Sequence, residues 1–314
     1  MKGITLFSPA KLNLYLKVLP KRPDGYHDIR TIFERIDLKD ELRFSISTKK
    51  EIKIFCDHPD VPTGPKNLVY RVAELIKNRY KITEGVRIWI KKRIPVAAGL
   101  AGGSSNAATT LIGLNRLWKL GLTQPQLLEL GKMIGSDVPF FLYDTSWARG
   151  IQRGDAIYPL QIDRCLWHVL VVPRVRLYAG EVYQTLHTLR TKSGGGNSSS
   201  RLKGGKPTVS SAEQGTNVLT KKQYNDNILI HQLKKGSISE VSHLLSNDLE
   251  PAAVFLFPRL RYVLDRMKLL VGEKVMVSGS GPSVFGLMET RETAQKIAEV
   301  LKKRYSQVFV VRTL

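Results

Sequence analysis

Apolar and polar residues alternate along several short stretches of this chain, which is the pattern of half-buried strands. The clearest stretch is 12–18, where leucines and a valine alternate with polar side chains. Short apolar runs on either side of a glycine turn at 278–283 indicate a pair of strands near the C-terminus. Strands are predicted over 12–18, 41–46, 51–56, 86–91, 275–277, 284–288 and 308–311.

Elsewhere apolar residues recur at the spacing of a buried helix face. Asn67 is a suitable N-cap for a helix that extends to Tyr80. Thr123 and Gln126 form a capping-box pattern at the start of a helix that runs to about Ile134. Further helices are predicted over 107–118 and 293–304. The chain is therefore predicted to be a mixed α and β protein.

A segment rich in serine, glycine and lysine interrupts the second half of the chain from Thr191 to about Asn217. Its few apolar residues cannot offset the entropy of ordering, so we predict a disordered insertion in a surface loop. The chain has 314 residues, of which 42% are hydrophobic, and this is enough for two domains with a substantial core.

The location of the protein is constrained by what the sequence does not contain. Its two cysteines lack the spacing of a metal site, and no apolar run approaches the length of a membrane helix. The first residues show no export signal. We therefore expect a cytoplasmic protein without a membrane partner.

A glycine-rich segment, 95–108, connects the predicted strand over 86–91 to the helix that follows it. Its glycines allow positive φ angles and a close approach of the backbone to a ligand. The free N–H groups and the dipole of the helix start favour an anion such as a phosphate, and two serines add hydroxyl groups. The residues predicted to bind phosphate are Pro95, Val96, Ala97, Ala98, Gly99, Leu100, Ala101, Gly102, Gly103, Ser104 and Ser105.

This segment matches neither of the two common phosphate-binding templates. No lysine follows its glycines, which excludes the P-loop of NTPases. It also lacks a clean G-x-G-x-x-G fingerprint with an acidic residue downstream. The alternative is a flexible glycine-rich connector, which the abrupt entry into an amphipathic helix disfavours.

The formal net charge of +22 raises a different class of function, because strong basicity can indicate a nucleic-acid partner. The lysines and arginines are scattered along the chain, however, and no basic motif interleaved with aromatic residues occurs in it. We therefore favour a generally basic surface that attracts anionic small molecules, and we expect no nucleic-acid partner.

Three further sites carry reactive side chains, and each has a structural alternative. Lys11 and Asn13 share the polar face of a predicted strand, where a lysine is usually only solvated. Tyr26 and His27 follow an Asp-Gly turn, where they could read a nucleobase or belong to an ordinary hairpin. Asp137 follows a predicted helix and precedes a proline and a predicted apolar strand. It could serve as a general base, cap the chain locally or form a local pair.

Taken together and in this order, the motifs resemble the GHMP kinase family. The matching segments are Pro9-Ala-Lys-Leu-Asn13, Asp24-Gly-Tyr-His27, Pro95 to Ala108, Gly135-Ser-Asp-Val-Pro139 and Ser278-Gly-Ser-Gly-Pro-Ser283. The first two are similar to the branch of the family that phosphorylates the 2-hydroxyl of 4-diphosphocytidyl-2-C-methyl-D-erythritol, in the non-mevalonate route to isoprenoid precursors. The resemblance covers almost the whole chain and fails only over the insertion.

The resemblance implies a two-domain α+β architecture with the active site between the domains. The N-terminal domain, 1–162, would bind ATP and have the ribosomal protein S5 domain 2-like fold, and the C-terminal domain, 163–314, would be ferredoxin-like. It further implies an ATP-dependent phosphotransferase whose small-molecule substrate carries a cytidine diphosphate group. Mg²⁺ is expected with ATP, and we expect a monomer or a weak homodimer.

The resemblance also implies a role for each candidate residue. Asp137 would accept the proton of the substrate hydroxyl, and Lys11 beside it would stabilise charge on the reacting oxygens. Tyr26 would stack on cytosine while His27 reads its polar edge, and Asn13 would contact the sugar-like part of the substrate. The segment Pro95 to Ser105 would hold the phosphates of ATP, with the Ser105 hydroxyl as a candidate Mg²⁺ ligand.

The sequence departs from the family pattern at two places. Ala101 stands where many relatives have glycine, which narrows the freedom of the loop. Tyr178-Ala179 stands where the family often has a Ser-Thr pair, so Leu177 and Tyr178 are candidates for the far side of the cytosine site. The alternative functions are another small-molecule GHMP kinase with a different acceptor and a basic nucleic-acid-binding protein.

Overall fold

The computed structural model describes residues 3–194, 225–272 and 275–314. Its strands form two separate sheets. The predicted insertion lies largely outside the described residues, although a helix continues through its expected start at Thr191 as far as Gly194. Among the described residues, no helix combines the length and the apolar character that a membrane crossing needs.

The first sheet has seven strands in the order β3-β4-β2-β1-β8, with β5 and β6 branching from β2. Its members are β1 Ile4–Lys21, β2 His27–Ser47, β3 Ile52–Cys56, β4 Gly85–Lys91, β5 Trp147–Ile151, β6 Ala156–Pro159 and β8 Ser246–Asn247. The long β1–β2 hairpin forms its centre and turns at Gly25, which has a φ of 85°. The predicted Asp-Gly turn is thus confirmed.

Four helices follow in the same half of the chain: α1 Leu68–Arg79, α2 Gly102–Leu117, α3 Gln124–Ile134 and α4 Val138–Leu142. The buried side chains of β2, β3 and β4 form a core with these helices. Asn67 caps α1, where its Oδ1 accepts a hydrogen bond from the N–H of Val69 at 2.8 Å. The predicted capping box of α3 is also present.

The apolar strand predicted after Asp137 is wrong, because residues 138–142 form the short helix α4. Pro139 lies within the first turn of this helix, where its missing N–H costs no hydrogen bond. The five residues of α4 are all buried, so the segment has no polar face from which a helical period could be recognised.

The second sheet is antiparallel and has the order β11-β7-β10-β9. Its strands are β7 Trp167–Val171, β9 Val275–Val277, β10 Val284–Met288 and β11 Val308–Arg312. The helices of this half are α5 Ala179–Gly194, α6 Asn225–Lys235, α7 Ile238–Leu244, α8 Glu250–Leu256, α9 Arg259–Val271 and α10 Arg291–Lys302. The three predicted C-terminal strands are confirmed, and the predicted last helix begins and ends two residues earlier than expected.

The two sheets are joined by apolar packing and by buried polar contacts. Leu12 and Ile32 of the first sheet share a core with Leu170 and Phe285 of the second. The carboxylate of Glu34 accepts a hydrogen bond from Thr313 Oγ1 at 2.6 Å and lies 3.0 Å from His168 Nε2. The predicted domain boundary at residue 162 falls between β6 and β7 and stays a prediction.

Candidate active site

A cleft of about 940 Å³ lies between the glycine-rich segment, the β1–β2 turn, the start of α5 and the turn that follows β9. The structure brings nearly all the predicted site residues to this one cleft. Lys11, Asn13, Tyr26, His27, Asp137 and the residues from Pro95 to Ser104 line it. The remaining predicted residue, Ser105, does not.

The glycine-rich segment reaches the cleft through a series of left-handed backbone conformations. Ala97, Gly99 and Ala101 have φ angles of 52°, 76° and 53°. A Cβ atom at Gly99 would lie 2.2 Å from the carbonyl oxygen of Ser278, so only glycine fits there. Ala101 immediately precedes α2 in a left-handed conformation, which explains why glycine is the easier residue at this position.

The phosphate-binding prediction depends on the start of α2. Gly102, Gly103 and Ser104 form the first turn of this helix and line the cleft. Amides in the first turn have no partner within their own helix, and the helix dipole adds positive potential there. The segment therefore presents donors suited to an anion.

Ser105 points away from the cleft and into the protein. Its side chain is fully buried, and its Oγ accepts a hydrogen bond from Ser8 Oγ at 2.7 Å. Its neighbours Ser104 and Asn106 line the cleft instead. The structure therefore does not bring the Ser105 hydroxyl to the position that a Mg²⁺ ligand would need.

A buried polar network that the sequence analysis missed supports the same segment from behind. The carboxylate of Asp40 accepts hydrogen bonds from the N–H groups of Arg93 and Ile94 at 2.7 and 2.8 Å, and from Asn106 Nδ2 at 2.9 Å. Lys92 Nζ lies 2.6 Å from the same carboxylate. These contacts join strands β2 and β4 to α2, and strand pairing on that scale leaves no local signal in the sequence.

Lys11 lies at the base of the cleft and contacts the glycine-rich segment directly. Its Nζ donates to the carbonyl oxygen of Gly99 at 3.1 Å and to Asn13 Oδ1. Asn13 is held in turn by a 2.7 Å hydrogen bond to Thr31 Oγ1. Burial lowers the pKa of Lys11 below its ordinary value, and the negative charge of Asp137 opposes that shift. Lys11 and Asp137 are thus close enough to interact electrostatically.

Asp137 lies between α3 and α4 and lines the cleft. Although it occupies the N-cap position of α4, its side chain makes no capping hydrogen bond. The capping alternative for Asp137 is therefore wrong. Its carboxylate is available to the cleft, in the neighbourhood of a buried ammonium group.

Another part of the cleft, formed by the β1–β2 turn and α5, is aromatic. Tyr26 is 57% exposed, and the guanidinium carbon of Arg153 lies 5.4 Å from the centre of its ring. His27 stacks on Tyr183 of α5, with ring centres 6.0 Å apart. The Nδ1 atom of His27 lies 2.9 Å from the carbonyl oxygen of Leu19. Because a carbonyl oxygen only accepts, Nδ1 carries the hydrogen and Nε2 of the neutral ring is left as an acceptor.

Tyr183 is a lining residue that the sequence analysis missed. Burial raises its pKa far above the ordinary value, and the negative charge of Asp137 adds to the shift. Leu177 and Tyr178, the residues expected on the far side of the cytosine site, also line the cleft. The helical spacing of apolar residues in α5 is the sequence pattern that could have identified Tyr183, but no helix was predicted there.

Comparison with known proteins agrees with this architecture. Residues 67–145 match the model of the GHMP kinases N terminal domain, and residues 229–307 match that of the GHMP kinases C terminal domain. A 4-diphosphocytidyl-2-C-methyl-D-erythritol kinase of Geobacillus kaustophilus is 37% identical over 99% of this chain and 97% of its own length. The enzyme of the same name from Alkaliphilus oremlandii is 38% identical over 100% of this chain and 97% of its own length.

A solved structure supports the same assignment. The crystal structure of a 4-(cytidine 5'-diphospho)-2C-methyl-D-erythritol kinase superposes with a TM-score of 0.74 at 30% identity and covers 98% of each chain. The fold and the cleft thus define a two-domain small-molecule kinase of the GHMP type. Within that class, the chain belongs to the family of the 4-diphosphocytidyl-2-C-methyl-D-erythritol kinases.

Proposed function

We propose that this protein transfers the γ-phosphoryl group of ATP to the 2-hydroxyl of 4-diphosphocytidyl-2-C-methyl-D-erythritol, in the non-mevalonate route to isoprenoid precursors. One observation carries the proposal. Lys11 is hydrogen-bonded to the glycine-rich segment at Gly99 and interacts electrostatically with Asp137, in a cleft that Tyr26 and His27 also line. A phosphate site, a carboxylate and a base-reading site thus share one cleft.

In the proposed reaction, Asp137 accepts the proton of the substrate 2-hydroxyl as its oxygen attacks the γ-phosphorus. The bond from that phosphorus to the bridging oxygen of ADP breaks, and ADP leaves. The ammonium of Lys11 stabilises the negative charge on the transferring oxygens, and the amides at the start of α2 hold the ATP phosphates. Positioning and electrostatics carry most of the barrier reduction in such reactions.

The cytidine end of the substrate is assigned to the aromatic part of the cleft. Tyr26 stacks on the cytosine ring, and Nε2 of His27 accepts a hydrogen bond from the cytosine amino group. Asn13, whose amide is oriented by Thr31 and Lys11, contacts the methylerythritol unit. Tyr183 stacks on the His27 ring and helps to hold it in place.

The described residues contain no group of three or more histidine, cysteine or acidic side chains that could hold a metal ion. Asp60, the other acidic residue of the cleft, is paired with Arg176. We therefore propose that Mg²⁺ enters as part of MgATP, held by the phosphates.

We also propose that the domains divide near residue 162 and that the cleft lies between 1–162 and 163–314. We propose that the protein acts as a monomer or a weak homodimer.

A coupled assay of ADP release tests the function directly. We expect ATP turnover that depends on 4-diphosphocytidyl-2-C-methyl-D-erythritol and is absent with mevalonate or homoserine. A folded protein that releases no ADP with the cytidine substrate would contradict the proposal. Turnover with another acceptor alone would place the protein in a different branch of the GHMP kinases.

Replacing Tyr26 by alanine should raise the KM for the cytidine substrate by roughly tenfold, because stacking on one base contributes about 1–3 kcal/mol. The KM for ATP should stay unchanged, since Tyr26 is not part of the proposed phosphate-binding segment 95–105. Tyr158→Ala is the matched control, because Tyr158 is similarly exposed and does not line the cleft. An unchanged KM in Tyr26→Ala would favour another acceptor.

The lowered pKa of Lys11 predicts an alkaline limb in the pH profile of kcat. Burial is the main cause of the shift, so Lys11 loses its proton in the folded protein at a pH below the ordinary value of 10.5. Since the charged form stabilises the transferring phosphoryl group, kcat should fall as the pH rises through the folded pKa. Lys11→Arg should move the limb to higher pH, because a guanidinium stays protonated. An unmoved limb would exclude Lys11 as its source.

The same shift affects stability with the opposite sign. The charged form is disfavoured by burial, so Lys11 costs stability at every pH below its folded pKa. This cost is lost as the pH rises through the folded pKa towards 10.5, the ordinary value. Denaturant unfolding of Lys11→Met should therefore show a gain in stability at neutral pH that disappears in strong alkali.

A further inference from the structure

The outward face of the first sheet is open to solvent only in part, on β3, β4 and the neighbouring ends of β1 and β2, and this part has an unusual composition. Elsewhere on this face Leu12 and Ile32 pack against the second sheet, while helices cover the inward face, whose strand residues form a buried core. On the outward face, Trp89 of β4 pairs in register with Phe55 of β3 and with Arg43 of β2. Phe7 of β1 lies on the same face, two strands from Trp89, and is 57% exposed. Three aromatic rings on one exposed face form an apolar patch, and such patches often mark binding sites.

Two of these aromatic rings lie parallel to each other and next to a cavity. The rings of Phe55 and Trp89 are stacked, with centres 5.2 Å apart and an angle of 10° between their planes. A shallow cavity of about 510 Å³ lies beside Trp89 and is lined by Arg43, Glu41 and Lys91. Stacking platforms of this kind bind the bases of single strands without requiring a defined sequence.

Most of the charged side chains on this face are positive. Its strand residues include one carboxylate, that of Glu41, and five cations: Lys39, Arg43, Lys53, Arg87 and Lys91. None of the five forms a salt bridge within the described part of the chain. Two of them lie over ring faces, with Lys39 Nζ 4.8 Å from the centre of Phe7 and Lys53 Nζ 5.5 Å from that of Phe55, so a base that stacks on either ring displaces a flexible ammonium group towards the phosphates.

We propose that this face, called the β-face below, binds single-stranded RNA. Bases stack on Trp89, Phe55 and Phe7, and the phosphates of the strand lie against the neighbouring cations. Glu41 repels phosphate but can accept a hydrogen bond from a 2'-hydroxyl, and this favours RNA over DNA. The β-face is separate from the kinase cleft, because none of its residues named above lines that cleft.

The expectation that the protein has no nucleic-acid partner rested on the absence of a basic, aromatic-interleaved motif along the sequence. The fold assembles such a motif from four strands whose residues are far apart in the chain. β1 contributes one of these side chains, β3 two, and β2 and β4 three each, so no single strand carries the whole pattern. With five cations against one carboxylate, the face contributes a net +4 to the formal net charge of +22.

Fluorescence anisotropy of the full-length protein with a labelled oligouridine of about 15 nucleotides tests the proposal. If four or five phosphates are neutralised, log K should fall with log salt with a slope of about −3. Trp89→Ala should weaken binding by roughly tenfold. An oligodeoxythymidine of the same length should bind more weakly, and equal binding of the two would overturn the assignment to RNA.

A matched pair of charge variants separates the β-face from general basicity. Lys53→Glu/Arg87→Glu/Lys91→Glu should abolish the binding. Lys296→Glu/Lys302→Glu/Lys303→Glu, on α10 and at its C-cap, changes the net charge equally and should retain the binding. Kinase turnover should stay normal in both and serves as the check on folding. Equal losses in the two variants would overturn the proposal. A second result would also overturn it. If the protein binds no RNA and sedimentation shows a dimer that Trp89→Ala converts to a monomer, the β-face is a protein interface.

Discussion

Replacing Asp137 by asparagine should reduce kcat by about 10²- to 10⁴-fold, the range that general bases contribute. The amide has almost the shape of the carboxylate but cannot take the proton of the substrate hydroxyl. The substitution also removes the charge that opposes the lowering of the Lys11 pKa, so less of Lys11 would be protonated during turnover. Both effects act in the same direction, and the KM for ATP should change little because the amides at the start of α2, which hold the ATP phosphates, are the same in both proteins.

The control for this variant is Asp60→Asn. Asp60 is the other acidic residue that lines the cleft, but its carboxylate is exposed and paired with Arg176. Single-turnover measurements of both variants at saturating ATP would separate the chemical step from product release. Near-normal turnover of Asp137→Asn would show that the hydroxyl loses its proton without help from this carboxylate.

The sequence was most informative where function depends on a contiguous segment. The glycine-rich segment and the helix after it could be predicted because a strand, a turn and an amphipathic helix each have a pattern within a few consecutive residues. The Asp-Gly turn before Tyr26 could be predicted for the same reason. Asn67 was recognised because a helix cap depends on residues only a few positions apart.

The sequence was least informative where function depends on contacts between segments far apart in the chain, or on the side of a helix that a single residue faces. Ser105 illustrates the second case, because one residue along α2 separates a hydroxyl that lines the cleft from one that is buried against Ser8. The interaction of Lys11 with Asp137 illustrates the first case. This interaction connects β1 to the start of α4. Without the family resemblance, nothing in either segment indicates that the two lie close together.

The β-face follows the same logic on a larger scale. Arg43, Trp89 and Phe55 lie in one row only because β2, β4 and β3 pair in one particular register. A shift of one residue in any of these strands would move its side chain to the opposite face of the sheet. The composition of the face is therefore a property of the fold and cannot be found by scanning the chain.

Replacing Gly99 by alanine should be the most damaging single change in the glycine-rich segment. The residue has a φ of 76°, and an added Cβ would lie 2.2 Å from the carbonyl oxygen of Ser278 and 2.9 Å from that of Gly281. Both neighbours are backbone atoms, so the segment or the turn after β9 would have to move. Gly99 O also accepts hydrogen bonds from Lys11 Nζ and Ser278 Oγ, so this movement would displace Lys11 as well.

We therefore expect Gly99→Ala to lose about 1–3 kcal/mol of unfolding free energy and most of its turnover, with a raised KM for ATP. Gly103→Ala is the control for stability, because a Cβ there would meet nothing closer than Leu68 Cδ1 at 3.8 Å. Denaturant unfolding of both variants and ATP titrations of Gly99→Ala would provide the measurements. A Gly99→Ala protein with normal stability and a normal KM for ATP would show that the segment and the turn are not packed as tightly as the distance to Ser278 requires.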